Sequence, residues 1–314
     1  MKLVRHIRDL PHADLKAGSV VTIGNFDGFH CGHRKLLDRV ILKSHSMRML
    51  SIVMSFEPTP KEYFSSANPP ARLMRFREKY DFLESQGIDI FYCPQFSPAM
   101  QNIRSIDFIR QVLVQGMNAR HIIVGDDFHF ARKREGSIED LLQTQKLLGF
   151  TIEKIDSIFY EGIRVSSTVI RTALASGNLN LATSLLGRSY RMSGRVVKGR
   201  QIGRTLGYPT ANVALRRRQS AIRGIFAVKV SGLKEGIIFG VASVGTRPTF
   251  DLKKPILEIH LLDFNRDIYG EYIHVDFIAH IRDELRFESE GDLVKAMNKD
   301  AENARSIFSV EKGK

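Results

Sequence analysis

The chain of 314 residues has no tryptophan and only two cysteines, Cys31 and Cys93. Two thiols cannot build a disulfide framework, so a reducing compartment is expected. No apolar run approaches the roughly 20 residues that a membrane-spanning helix needs. The opening residues, MKLVRHIRDLPHADLKAG, lack the apolar core of a secretory signal. These shortages predict a cytoplasmic protein with no membrane association. GxxxxGK[ST] is missing, and so is GxGxxG, which removes the two familiar glycine-rich nucleotide signatures. Long basic arms are missing too. No basic run exceeds three residues, as in Arg216-Arg217-Arg218, although the net charge is +13. Residues 1–186 carry 24 Lys/Arg against 19 Asp/Glu (+5), and residues 187–314 carry 23 against 15 (+8). Charge spread this evenly favours pockets for phosphorylated small molecules, or an incidental surface bias, over dedicated nucleic-acid binding.

The length suggests about two domains, and 43% apolar residues suffice for their cores. Up to residue 186, strand-like runs at 19–26, 49–56, 88–93, 120–128 and 151–160 alternate with helical patterns. In RLMRFREKYDFLESQG, for example, Leu73, Phe76, Tyr80 and Leu83 recur at helical spacing. Such alternation predicts a parallel sheet covered on both faces, with ligands at the strand carboxyl ends near a switch point. A short helical bridge is expected over 169–186. From 187 onward the runs RMSGRVVKG, TANVAL, GIFAVKVSG, GIIFGVASVG, ILEIHLLDF and YIHVDFIAHI are short and β-rich. They predict a closed barrel or a sandwich. The last segment, SEGDLVKAMNKDAENARSIFSV, reads as a helix that packs through Leu293, Met297, Ala301 and Ile307.

GNFDGFHCGH, residues 24–33, lies at the end of the first of these strands and opens a helix. Gly24 and Gly28 permit sharp turns, Gly32 leaves room, and His30 and His33 fall on one side of the helix start. Imidazoles beside free helix N–H groups suit phosphate oxygens. Zinc on the histidines with Cys31, or a plain glycine turn, remains open on the residues alone. GDDFHF, 125–130, ends another strand. Ser166, Ser167 and Thr168 followed by Arg171 start a helix. They read either as ordinary capping or as a second phosphate-donor cluster that, with the first, clamps a triphosphate.

In GRQIGRTLGYPTANV, Gly199, Gly203 and Gly207 suit a loop over phosphates, or a long hairpin loop. Pro209 fixes a turn, after which Thr210 and Asn212 share one face and offer oxygen ligands of the kind Mg2+ accepts. Glu258 sits in an apolar strand. It is either a surface glutamate or a base for an attacking alcohol.

GNFDGFHCGH and SSTVIR, with FEPTPKEYF, RLMRFREKYDFLESQGID and VGDDFHFARKREG between them, resemble the FMN adenylyltransferase module of bacterial bifunctional riboflavin kinase/FAD synthetases. GYPTANV, RGIFAVKV, VASVGTRPTF and LEIHLLDF resemble the riboflavin kinase barrel of the same family. The resemblance implies an α/β protein. A Rossmann-like nucleotidyltransferase domain with a parallel sheet would span 1–186, and a small β-barrel domain ending in an α-helix would span 187–314. It implies Gly24, Asn25, Phe26, Asp27, His30, Gly32, His33, Asp127, Ser166, Ser167, Thr168 and Arg171 at ATP, with His30, His33 and Arg171 catalytic. Phe56, Pro58 and Phe128 would line the flavin pocket. In the barrel it implies Gly203, Thr205, Pro209, Thr210 and Asn212 at ATP, Thr210 and Asn212 at Mg2+, and Glu258 as base for the ribityl 5′-hydroxyl. Asp300 and Arg305 would close on the flavin. Riboflavin, FMN, FAD and ATP are the implied small-molecule partners, on a monomer or weak homo-oligomer that binds no nucleic acid. One departure stands out: the family reads DFRFG where this chain has DFHFA, with His129 and Ala131. Two alternatives follow: a chain in which only the kinase works, or a basic nucleic-acid binder that kept a nucleotide fold.

Overall fold

The structure, a computed structural model, describes residues 1–199, 207–248 and 253–312. Its contacts divide the chain into two compact units. Unit 1 comprises Met1–Pro70 and Met74–Val165, and unit 2 comprises Ala71–Leu73 and Ser166–Lys314.

In unit 1 the strands are β1 (Lys2–Val4), β2 (Ser19–Ile23), β3 (Leu50–Met54), β4 (Ile90–Tyr92), β5 (Ala119–Gly125) and β6 (Thr151–Ile155). They form one sheet in the order β1-β4-β3-β2-β5-β6, parallel throughout. The helices are α1 (Cys31–Met47), α2 (Pro60–Phe64), α3 (Phe76–Ser85), α4 (Pro98–Asn102), α5 (Ser105–Asp107) and α6 (Ile138–Leu148). After α5 the expected helix continues as a π-helix, Phe108–Gly116. Strand residues alternate between two buried clusters. Val21, Ile23, Ile52, Met54, Ile122 and Val124 face Phe108, Ile109 and Leu113. Val20, Val53, Phe91 and Ile123 face Leu37 and Val40 of α1 and Leu83 of α3. Both sheet faces are therefore covered, as near-continuous apolar strands require. The chain runs leftward from β2 through β3 to β4, then returns to place β5 on the other side of β2. The crevice between β2 and β5 is the switch point at which such sheets bind ligands.

A small hairpin of β7 (Phe159–Tyr160) and β8 (Ile163–Arg164) completes unit 1.

Unit 2 starts with α7 (Ser167–Ala175) and α8 (Leu179–Leu186), the helices expected at 169–186. Strands β9 (Tyr190–Val197), β10 (Ala211–Val213), β11 (Gly224–Leu233), β12 (Gly236–Pro248), β13 (Lys253–Leu261) and β14 (Tyr272–Arg282) close into a barrel in the order β10-β13-β12-β11-β14-β9. All its pairings are antiparallel. The last helix, α9 (Glu290–Lys312), packs Ala304 and Phe308 against Ala227 and Leu262 of the barrel. The Phe308 ring stacks on Phe239 at 4.3 Å. Closure decides the barrel-or-sandwich choice that the sequence leaves open.

Candidate active sites

The first site grows from the turn after β2. Phe26 (φ 46°), Gly28 (φ 91°) and Phe29 (φ 42°) all adopt left-handed backbone, which costs non-glycine residues free energy unless packing enforces it. The enforcement is aromatic. Phe26 and Phe29 are 1% and 0% exposed and stack on each other at 5.7 Å. The Phe26 ring is thus a core anchor, which leaves only the backbone of that residue to meet a ligand. The turn ends at His30, the N-cap of α1, whose Nδ1 accepts the His33 N–H at 3.3 Å. The two imidazoles stack at 3.7 Å. A Cβ on Gly32 would lie 3.3 Å from the His30 ring, so the space that glycine leaves is filled by histidine.

Electrostatics follow from this packing. Burial lowers the His30 pKa from 6.5 to about 4, outweighing the pull of Asp27 and Asp127. Burial, then the charges of His30 and Lys79, hold His33 well below the ordinary value. Both rings are neutral at pH 7. Because Nδ1 of His30 is an acceptor, its ring proton sits on Nε2 and is available as a donor. Zinc finds no support: no group of His, Cys, Asp and Glu among the described residues could hold a metal.

Asn25 and Asp27 both serve the turn. The Asn25 carbonyl accepts from the Lys79 ammonium at 2.6 Å, and Asp27 Oδ1 accepts the Met74 N–H at 2.9 Å. Gly24 N–H donates to Met54 O at 3.1 Å, holding the turn to β3. Across the switch point, at the end of β5, Asp127 pairs with Arg164 at 2.7 Å. Arg164 and Ser157 also hold Asp126. Burial opposes the Asp126 charge, but the Ser157 hydrogen bonds and Arg164 outweigh it and lower its pKa. Phe128 stacks on Phe130 at 5.3 Å. Phe56 meets Phe96 edge-to-face, with Tyr63 and Phe64 on the same ring. Pro58, half-buried, precedes Thr59, which caps α2. Ala131 has φ 64° and ψ −168°, a region held almost only by glycine.

Ser166, Ser167, Thr168 and Arg171 fall in unit 2. Ser166 caps α7, its hydroxyl accepting from Val169 N–H at 3.3 Å. Ser167 is half-buried and Thr168 exposed. Arg171 Nε donates to Ala71 O at 2.6 Å.

The second site lies on the outer face of the barrel. Along β13, Leu257, Ile259 and Leu261 are buried, whereas Glu258 and His260 are half-exposed. Glu258 stands directly opposite Asn212 of β10 and Ser243 of β12. Directly opposed residues project from the same face with Cβ atoms roughly 5 Å apart, so the pairing puts the Asn212 amide beside the Glu258 carboxylate. A Cβ on Gly199 would lie 2.2 Å from Asn212 Nδ2, so only glycine lets the chain pass over that amide. His260 Nδ1 bonds Pro209 O at 3.1 Å and fixes the turn that carries Thr210. Tyr208 packs on the His260 ring and donates to Asn298 of α9. Gly203 and Thr205 lie outside the described residues.

Asp300 and Arg305 are engaged with the barrel. Asp300, 4% exposed, forms a two-pronged pair with Arg282 at 2.9 and 2.7 Å. Arg305 pairs with Asp263 at 2.5 and 2.9 Å. In the basic run 216–218, the middle arginine is 8% exposed and is spent on Arg72 O, Leu73 O and the Tyr190 hydroxyl. Lys79, Arg164, Ser157 and His260 escape a reading by motif. A lysine on the apolar face of α3 was the one available signal.

A family model described as FAD synthetase matches residues 12–169, and one described as riboflavin kinase matches residues 186–308. A solved structure from Streptococcus pneumoniae, described as a macrolide-efflux protein, covers 97% of this chain and 98% of its own at TM-score 0.82 and 29% identity. No described helix here is long and apolar enough to cross a membrane. Proteins of Haemophilus influenzae and Escherichia coli K12 named bifunctional riboflavin kinase/FMN adenylyltransferase are 42% and 43% identical. They cover 96% and 99% of this chain, and 99% of each relative is covered in turn. With relatives this close along nearly its whole length, and a family match in each half, the chain belongs to the bifunctional riboflavin kinase/FMN adenylyltransferase family.

Proposed function

We infer that the chain makes FAD from riboflavin in two ATP-dependent steps, with kinase chemistry in residues 187–314 and adenylyl transfer in residues 1–186. The observation that carries this division is that the GNFDGFHCGH turn and the Asn212–Glu258 pair each lie in a different cored unit. The stacked His30–His33 pair stands at the switch point of the sheet, and Asn212 stands opposite Glu258 on the barrel.

In the kinase step the ribityl 5′-hydroxyl attacks the γ-phosphorus of ATP, forming FMN and ADP. Glu258 takes the hydroxyl proton as the P–O bond forms. Thr210 and Asn212 bring hard oxygen ligands of the kind that suits Mg2+, which keeps waters and substrate phosphates as its other ligands. Mg2+ would neutralise charge on the phosphates. Asp300 and Arg305 fix α9 on the barrel, from which the helix closes on the flavin. The family resemblance assigns Gly203, Thr205 and Pro209 to ATP.

In the second step an FMN phosphate oxygen attacks the α-phosphorus of ATP, and pyrophosphate leaves. Positioning and charge stabilisation suffice for such a transfer. His30 offers a neutral Nε2–H donor, and the α1 start offers N–H groups to the phosphates. The family resemblance alone assigns Ser166, Ser167, Thr168 and Arg171 to ATP, and it assigns Phe56, Pro58 and Phe128 to the isoalloxazine. Gly24, Asn25, Asp27 and Asp127 shape the ATP cleft. A cytoplasmic monomer or weak homo-oligomer with no nucleic-acid or membrane partner completes the proposal.

Incubating pure protein with riboflavin, ATP and Mg2+ and following the flavins by chromatography tests the proposal. FMN should appear first and FAD after it; absence of both overturns the assignment. Glu258→Ala should abolish FMN formation and spare FAD formation from supplied FMN. His30→Ala and Arg171→Ala should do the reverse. A folded variant that loses both activities breaks the division of labour. The backbone at Ala131 motivates a second reading, in which only the kinase works; FMN supplied directly decides between them.

A further inference from the structure

Lys79 lies on α3 in the same helical stretch as Leu83, which faces the buried cluster under α1. It is only 3% exposed. Its ammonium reaches the carboxyl ends of two strands. Nζ donates to Asn25 O, just past β2, at 2.6 Å, and to Ser55 Oγ, just past β3, at 3.2 Å. Ser55 Oγ in turn donates to Asn25 O at 3.3 Å. The Asn25 carbonyl therefore takes two donors at the root of the turn that leads to His30. That turn has left-handed backbone at Phe26, Gly28 and Phe29, a conformation that persists only where the surroundings over-determine it.

An ammonium is costly to bury. A lysine at this place is therefore explained by the two oxygens it holds at the strand ends. Resting on the adenylyltransferase reading above, we propose that Lys79 is a positioning residue for FMN adenylylation: its buried ammonium locks the Asn25 carbonyl and thereby the turn that presents His30 and His33 to the triphosphate of ATP. Burial keeps the His33 ring neutral, and the lysine charge adds to that effect.

The test is Lys79→Met in the full chain, with both activities and the thermal midpoint measured on one preparation. A displacement of about 1 Å at a reacting group costs roughly 100-fold in rate, so kcat for FAD from FMN and ATP should fall by about that factor. The KM for FMN should change by less than about threefold, because uniform binding is untouched. Riboflavin phosphorylation should hold its rate per folded molecule. A purely structural lysine gives the opposite pattern: a lowered midpoint with kcat per folded molecule preserved. That pattern, or FAD formation within about threefold of wild type, overturns the proposal.

Ser55→Ala is the second variant, should the first not fold. It removes one of the two donors to Asn25 O and should lower kcat about tenfold with kinase activity intact; an unchanged kcat also overturns the proposal. Wild-type protein that makes no FAD at all defeats the activity assignment instead.

Discussion

His30 couples the chemistry of the first site to the stability of unit 1. Its folded pKa, about 4, lies below its ordinary 6.5 because burial disfavours the cation. As pH falls the unfolded chain takes the proton first. The stabilisation is complete above pH 6.5 and is lost between pH 6.5 and 4. Lowering the pH from 7 to 5 should therefore cost unit 1 roughly 2 kcal/mol from this residue. Urea titrations at the two pH values measure it, and His30→Asn should flatten the dependence. Ala131 offers a second test at one residue. Its backbone, φ 64° and ψ −168°, costs about 1–3 kcal/mol for a side chain, while glycine costs roughly 0.5–1 kcal/mol in unfolded-chain entropy. Ala131→Gly should gain about 1 kcal/mol, read as a higher urea midpoint. FAD formation should be at least as fast in that variant.

Helix α9 is tied to the barrel by two ion pairs of unequal worth. Arg282–Asp300 is largely buried, with side-chain exposures of 22% and 6%. Arg305–Asp263 is open, at 51% and 74%. Asp300→Ala strands a guanidinium and should cost about 3 kcal/mol. Arg305→Ala should cost less than about 1 kcal/mol. Chemical denaturation ranks them, and a reversed ranking would mean that α9 is held by its apolar face alone. Most elements were legible in the sequence because strand runs and helical periods carry their own spacing. β1 was not, because Lys2–Val4 is too short to show a period. The π-helix at Phe108–Gly116 was not either, since a helical apolar face looks the same whichever carbonyl its N–H groups choose. Asn212 and Glu258 could each be singled out, but not their register, which depends on closing a barrel across distant strands. Lys79 was harder to read: its place on the apolar face of α3 was a signal, but a lysine on a helix ordinarily reads as solvated.

The two motifs were legible at the scale of the whole chain because each sits at a composition boundary, glycine-rich against apolar. Their meeting with other residues was not, since Asp127, Arg164 and His260 reach their partners through the fold rather than through spacing. The positive charge has a kinetic consequence on this scale. An excess of +13 draws in polyanionic substrates, so ATP association should slow as salt is raised from low to physiological strength. Stopped-flow binding measures this, and an association rate indifferent to salt would show that the charge lies away from the clefts. The barrel order β10-β13-β12-β11-β14-β9 closes on itself, whereas the sheet of unit 1 ends at β1 and β6. A closed ring offers no strand for another molecule to extend. Among the described residues, the lateral borders of these two sheets belong to unit 1. One is three residues long, and the other carries Glu153 tied to Arg39 and His121, with Lys154 beside it. Short length and charge are how sheets refuse strangers. Strand addition to this sheet is therefore opposed at the β6 border by Glu153 and Lys154, and neutralising those two charges should weaken that protection.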